Sequence, residues 1–285
     1  AKRCQRLGRG FNSLLPLQER TLLYFLILNY QMPTILKIKK NKTIYTIKIK
    51  IRNLKNFIKG FIFLFINGSG LKRIIIFTKN FIKKKIHFDR SKFYKEKNFN
   101  HGDWFTHKAP LLVNYFDNKN KNKNEIIEIL EIGSWEGRSS CFFLNYFEKS
   151  VLTCVDTWEG SDENFYNDYP DLNKVESNFD KNVFEFKNRV TKYKLKSKAF
   201  FNSNKKMFDF IYIDGSHFYD DVLNDANDGF NVLKRNSYIL FDDYNWNFYK
   251  HGKNPINAIN LFLNLNKEKI KIIYISAQVL IQKMN

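Results

Sequence analysis

Four apolar runs in the second half of the chain each end on an acid or a glycine: "EIIEILEIG" at 125–133, "VLTCVD" at 151–156, "FDFIYID" at 208–214 and "SYILFDD" at 237–243. Between them lie stretches with helical spacing. One is expected over 139–149, and another over 218–231, where Val222, Ala226 and Phe230 recur every four residues. Strand-like runs alternating with amphipathic helices form βαβ units, and these build a mostly parallel sheet covered by helices on both faces. In such a sheet ligands bind beyond the carboxyl ends of the strands. Glu131, Asp156, Asp214, Asp242 and Asp243 are therefore expected along one edge. The tail, "KIIYISAQVLIQK" at 271–283, holds two further runs joined by about two residues. That is too short for a crossover helix, so the last two strands pair antiparallel.

Charge separates the chain into two parts. Residues 1–98 carry 24 Lys and Arg against the three acids Glu19, Asp89 and Glu96, whereas residues 99–285 carry 24 against 25. The formal net charge of +20 thus resides in the first third. Any nucleic-acid partner is expected through residues 1–98, and AT-rich coding bias alone can also produce such an arm. The arm is read as an extension of unknown structure, with a half-exposed strand at 47–51 and a turn at 67–70, ahead of a catalytic domain over 99–285.

Three cysteines, Cys4, Cys141 and Cys154, show neither paired count nor CxxC spacing. A disulfide framework and a zinc site are disfavoured, and a reducing, cytoplasmic location is expected. The apolar runs at 22–28 and 61–66 are far shorter than the ~20 residues that span a bilayer. This leaves peripheral membrane contact open. No cleavage site follows the first run, so no leader is expected; the chain begins at Ala1, as a fragment or a processed form would.

"LEIGSWEGRSS" at 130–140 joins the first strand to its helix. Gly133 and Gly137 permit a sharp turn and a close backbone approach, and the helix N-terminus offers unpaired N–H groups. The spacing is GxxxG, unlike the GxGxxG of nicotinamide sites. With Asp156 nineteen residues beyond Gly137, the segment resembles the first motifs of class I S-adenosylmethionine-dependent methyltransferases, over roughly residues 99–285. The resemblance implies a Rossmann-like seven-stranded sheet, and cofactor contacts from Glu131, Gly133, Ser134, Trp135, Gly137, Asp156, Thr157 and Trp158. Trp135 departs from the family by standing where many members carry a middle glycine.

"YIDGSHFYDDV" with the later "LFDDYNW" is similar to the metal-dependent sugar and small-molecule O-methyltransferases within that superfamily. Parallel neighbours lie ~4.8 Å apart, so Asp214, Asp242 and Asp243 can converge, and three carboxylates that close require a cation. Oxygen ligands favour Mg²⁺, or Mn²⁺ or Ca²⁺. Asp214 is also placed among the catalytic residues. His217 is the expected general base; its plainer role is a helix-start residue bonded to backbone. Asp221 and Asp225 read as a solvated helix face. "HGDWFTHKAPLL" at 101–112 resembles an entry segment, in which His101, Trp104 and His107 either touch substrate or pack the first helix. The reading is a methyltransferase acting on a saccharide or other small hydroxyl-bearing acceptor. Its rivals are methylation of RNA or another polyanion guided by the basic arm, and a non-catalytic module of the same fold.

Overall fold

In the computed structural model, residues 58, 60–62, 64–65, 69–82, 88–118, 123–160, 172–247 and 253–284 are described. The strand expected at 47–51 and the apolar run at 22–28 lie outside them. Seven strands form one sheet: β1 (Glu128–Ile132), β2 (Val151–Asp156), β3 (Val190–Lys194), β4 (Phe208–Ile213), β5 (Leu233–Phe241), β6 (Ile270–Ile275) and β7 (Val279–Lys283). Their order is β3-β2-β1-β4-β5-β7-β6. The pairs among β1 to β5 are parallel, and β7 is antiparallel to both β5 and β6. The terminal hairpin expected from the short connection is present. No helix among the described residues is long and apolar enough to cross a membrane.

The helices are α1 (Gly70–Ile82), α2 (Ser91–Tyr94), α3 (Ala109–Asn118), α4 (Arg138–Tyr146), α5 (Val175–Val183), α6 (Ser197–Ser203), α7 (Tyr219–Asn231) and α8 (Pro255–Leu265). Side chains alternate between the two faces of a strand, so a run apolar at every position must be covered twice. In β4 and β5, Ile211, Ile213, Ile239 and Phe241 meet α7 and α8 on one face. Phe210, Tyr212, Tyr238 and Leu240 join α3, α4 and α5 on the other. The second layer is largely aromatic: Phe105, Phe142, Phe143, Phe147 and Phe210 lie in one network of edge and tilted contacts. The two midchain cysteines, Cys141 and Cys154, are buried free thiols, as small apolar residues would be.

Part of the arm's sequence takes part in this fold. Arg73 of α1 donates to Asn260 Oδ1 at 2.8 Å and Asn264 Oδ1 at 2.5 Å on α8. Phe93 of α2 packs on Phe142 with ring centroids 4.9 Å apart. Asp225, read from sequence as solvated, is buried on α7, because the helix turns that position toward the start of α6. Asp221 is exposed and accepts from Ser216 Oγ at 2.6 Å.

Candidate active site

Register brings the strand tips into one row. Ile132 pairs with both Val155 and Ile213, and Ile213 with Phe241. The ladders run one residue further through Gly133 N–H to Val155 O (2.9 Å), Asp214 N–H to Ile132 O (2.8 Å) and Asp242 N–H to Ile213 O (2.9 Å). Asp156, Gly133, Asp214 and Asp242 thus stand side by side at the carboxyl edge, as the sequence pattern led one to expect.

The glycine loop is built around Asp156. Its Oδ2 accepts the backbone N–H groups of Ser134 and Trp135, both at 2.8 Å, and its Oδ1 accepts that of Trp158 at 2.7 Å. Burial pushes this carboxyl upward, and the backbone donors of Trp135, Trp158, Ser134 and Thr157 oppose the shift. Gly137 is left-handed (φ 80°) and caps α4. Trp135 is left-handed too (φ 48°), which explains why this position suits glycine. Its ring meets His101 at 5.2 Å and Trp104 at 6.3 Å. Ser134 is buried, and Thr157 Oγ1 accepts the Glu159 N–H at 3.3 Å.

Two expected contacts fall elsewhere. Glu131 is fully buried on the underside of the loop, where its Oε2 accepts from Ser140 Oγ and Cys154 Sγ. It sits two residues before the tip position, Gly133, and braces α4 against β1 and β2. Trp158 is only 4% exposed, packs on Phe179 at 5.1 Å and donates Nε1–H to Trp135 O. Its left-handed backbone (φ 54°) turns the indole into the core instead of along the edge.

Beside the loop, the acids meet a cation. Lys108, at the residue before α3, sends its ammonium to Asp242 Oδ1 in a short contact and to Asp243 Oδ1 at 2.9 Å. His217 Nε2 lies 3.0 Å from Asp243 Oδ2, and its ring stacks on Trp246 at 4.7 Å. Burial alone would raise the Asp243 carboxyl, but the hydrogen bond from His217 and the charge of Lys108 hold it well below the usual range. Burial would lower the Lys108 ammonium, yet Asp242, Asp243 and Asp214 together raise it, so it stays charged. Asp214 shifts the opposite way, raised chiefly by burial and then by Asp242 and Asp243. Tyr212 Oη contacts Asp214 Oδ2 at 2.8 Å and Asp242 Oδ2 in a short bond. One hydroxyl has one proton, so when it donates to Asp242 the Asp214 contact needs a proton on Asp214.

This donor set does not fit the three-carboxylate cage expected from sequence. Asp242 Oδ1 takes Lys108 and the Asp243 N–H, while Oδ2 takes Tyr212 and Gln278 Nε2 (2.9 Å). All four lone-pair sites are spent. Asp214, His217 and Asp243 do offer ligand atoms within 4.8 Å of one another. An ion there would face a fixed ammonium bonded to the same Asp243, and two unit charges 4 Å apart already interact by about 4 kcal/mol near a protein surface.

Lys108 and Glu136 did not emerge from the sequence. Glu136 is buried in the loop and accepts the N–H groups of Asn100 (3.3 Å) and His101 (3.0 Å), as well as Asn178 Nδ2 (2.7 Å). His101 Nδ1 lies 3.1 Å away. The entry segment is thereby clipped to the glycine loop, and Arg138 reinforces it by stacking on Phe99 at 4.0 Å. Of the segment's other expected contacts, Trp104 is 46% exposed. The available signal was position alone: an acid inside the loop, and a lysine directly before a helix.

Residues 130–244 match a family model described as a methyltransferase domain. These residues are similar to that family. The match takes in the glycine loop, the strand-tip acids Asp156, Asp214, Asp242 and Asp243, and His217. No curated protein sequence matches the chain. Among solved structures, the chain is similar to the O-methyltransferase TomG from Streptomyces achromogenes, at 12% identity and TM-score 0.44, covering 65% of this chain and 92% of that one. It is also similar to an O-methyltransferase from Bacillus cereus, at 15% identity and TM-score 0.43, covering 66% and 93%. At identities this low, the acceptors of those proteins say nothing about the acceptor here.

Proposed function

We propose that the domain transfers a methyl group from S-adenosylmethionine to the hydroxyl of a sugar or another small acceptor. The observation that carries this reading is the pairing of His217 with Asp243 at the tip of β5, in the same row as the glycine loop and Asp156. The residues suit the methyl donor: the glycine loop lies at the strand tips, and Asp156, whose carboxylate accepts the Ser134 and Trp135 N–H groups, ends the neighbouring strand. When bound, S-adenosylmethionine supplies an electrophilic sulfonium methyl group.

The chain's own part is to hold the acceptor oxygen and remove its proton. With His217 Nε2–H donated to Asp243, the proton-accepting nitrogen is Nδ1. The ionised Asp243 fixes the ring and stabilises the imidazolium that forms. Trp246, stacked on the other side, limits rotation of the ring. Positioning of the reacting oxygen supplies a further share of the acceleration. The divalent ion suggested by sequence has no role in these steps.

The test is calorimetry of the full chain with S-adenosylmethionine and S-adenosylhomocysteine, followed by a screen of sugar, nucleotide-sugar and phenolic acceptors for S-adenosylhomocysteine release. Saturable binding with release on a hydroxyl acceptor supports the reading. Absence of cofactor binding removes it, and turnover confined to RNA redirects it to the basic arm.

A further inference from the structure

We infer that Lys108 is a built-in replacement for the divalent ion, its ammonium holding the acceptor hydroxyl at the strand tips so that methyl transfer proceeds without a metal. The inference rests on the methyl-transfer reading above and specifies how its acceptor is held.

Four observations lead to it. Lys108 reaches the acids from across the sheet edge and bonds to Asp242 and Asp243 together, with its side chain 7% exposed. A lysine that only decorated a surface would keep its head in water. Next, the acids are already committed. Asp242 accepts four hydrogen bonds, and Asp243 gives one oxygen to Lys108 and the other to His217. Mg²⁺ demands near-octahedral oxygen ligation and would have to break this set.

The lysine is also rigidly placed. Its N–H donates to Phe105 O at 2.9 Å, and α3, which follows it, is anchored in the aromatic layer by fully buried Leu112 and by Phe116. Finally, an ammonium has three donors and the carboxylates take two. Among the described residues no hydrogen bond uses the third, which is the one that can meet an acceptor oxygen.

The chemistry balances without a Lewis acid. The acceptor O–H gives its proton to His217 as the oxygen forms its new bond to the methyl carbon. The carbon–sulfur bond breaks, its electron pair goes to sulfur, and a neutral thioether leaves. The ammonium keeps all its protons throughout and offsets the negative charge growing on the oxygen. A divalent ion does the same task in metal-assisted transfer; here a covalently tethered cation does it.

Mn²⁺ titration of the full chain, followed by electron paramagnetic resonance, tests this independently of any acceptor, with S-adenosylmethionine calorimetry run in parallel. The wild type is expected to leave Mn²⁺ free. Lys108→Met uncovers the carboxylates and tightens Mn²⁺ binding by about 100-fold, as removal of a like charge beside them implies. Lys108→Arg keeps the charge and leaves Mn²⁺ free, which covers the case in which Lys108→Met does not fold. Stoichiometric Mn²⁺ binding by the wild type, abolished by Asp243→Asn, overturns the inference. So does failure of a folded Lys108→Met to bind Mn²⁺. Loss of S-adenosylmethionine binding in the wild type strikes the methyl-transfer reading instead.

Discussion

Gly133 and Asp214 meet backbone to backbone: a Cβ on Gly133 would lie 2.0 Å from the carbonyl oxygen of Asp214. The contact joins the glycine loop to the strand that carries Asp214, and Gly133 holds a left-handed φ of 87° there. Gly133→Ala therefore meets both a backbone collision and conformational strain. The expected loss is about 2–4 kcal/mol of stability together with loss of S-adenosylmethionine binding, read by denaturant unfolding and calorimetry. Gly229→Ala on α7 is the matched control. Its Cβ would make ordinary contacts at 3.6 Å or more, so alanine should stabilise the helix by roughly 0.5–1 kcal/mol.

In the proposed reaction His217 acts on a proton and Asp156 on the cofactor, so their substitutions should separate. His217→Gln is expected to lower turnover by roughly 10²–10⁴-fold while leaving S-adenosylmethionine affinity within about twofold. Asp156→Ala should weaken that affinity and also release the Ser134 and Trp135 N–H groups that shape the loop. Single-turnover rates beside calorimetry distinguish the two. Equal loss of cofactor affinity in both variants would contradict the assignment.

Asp225 supplies a pH dependence of stability. Burial raises its carboxyl from 3.8 to about 7, against a hydrogen bond from Ser197. Between about pH 4 and 7 the folded chain then holds a proton that the unfolded chain has lost. Stability therefore falls as pH rises through that window, by an amount on the order of 4 kcal/mol at most. Asp225→Asn should flatten this part of the profile in urea unfolding series at stepped pH.

Glu136 gives the opposite slope. Burial alone would raise its carboxyl, but hydrogen bonds from the His101 backbone, Asn178 and the His101 side chain bring it below 4.5. Its contribution is fully present above about pH 4.5 and is lost as pH falls through the lowered value. Glu136→Gln should speed amide exchange at Asn100 and His101, whose N–H groups it accepts, while exchange in β4 stays slow.

Much of the catalytic layer could be read from the chain because its signals are local. β2 begins and ends where the apolar run "VLTCVD" does, and α7 lies within a residue of the periodic stretch at 218–231. The acids at 156, 214 and 242 align because parallel register places residues that end their strands side by side. β3 was not delimited, since "VTKYK" is largely polar and lies at the sheet edge with little buried surface to mark it. Lys108 was invisible for another reason. Its carboxylate partners lie 134 and 135 positions away, and a basic residue ahead of a helix looks the same whether it faces water or an acid. Asp225 was placed on the wrong side of its helix, because a residue's type does not report the direction in which helix phase sends it.

β7 comes after every other strand in chain order, yet it is inserted between β5 and β6. Gln278, just ahead of it, donates to Asp242, and Ala277 accepts the N–H of Tyr244. During synthesis the hydrogen-bonding rim of β5 must therefore wait unpaired until the hairpin emerges, and Asp242 waits with it for one of its donors. Nascent chains should be vulnerable to mispairing at that rim, and the strand-tip carboxylates reach their final arrangement only when the hairpin slides home.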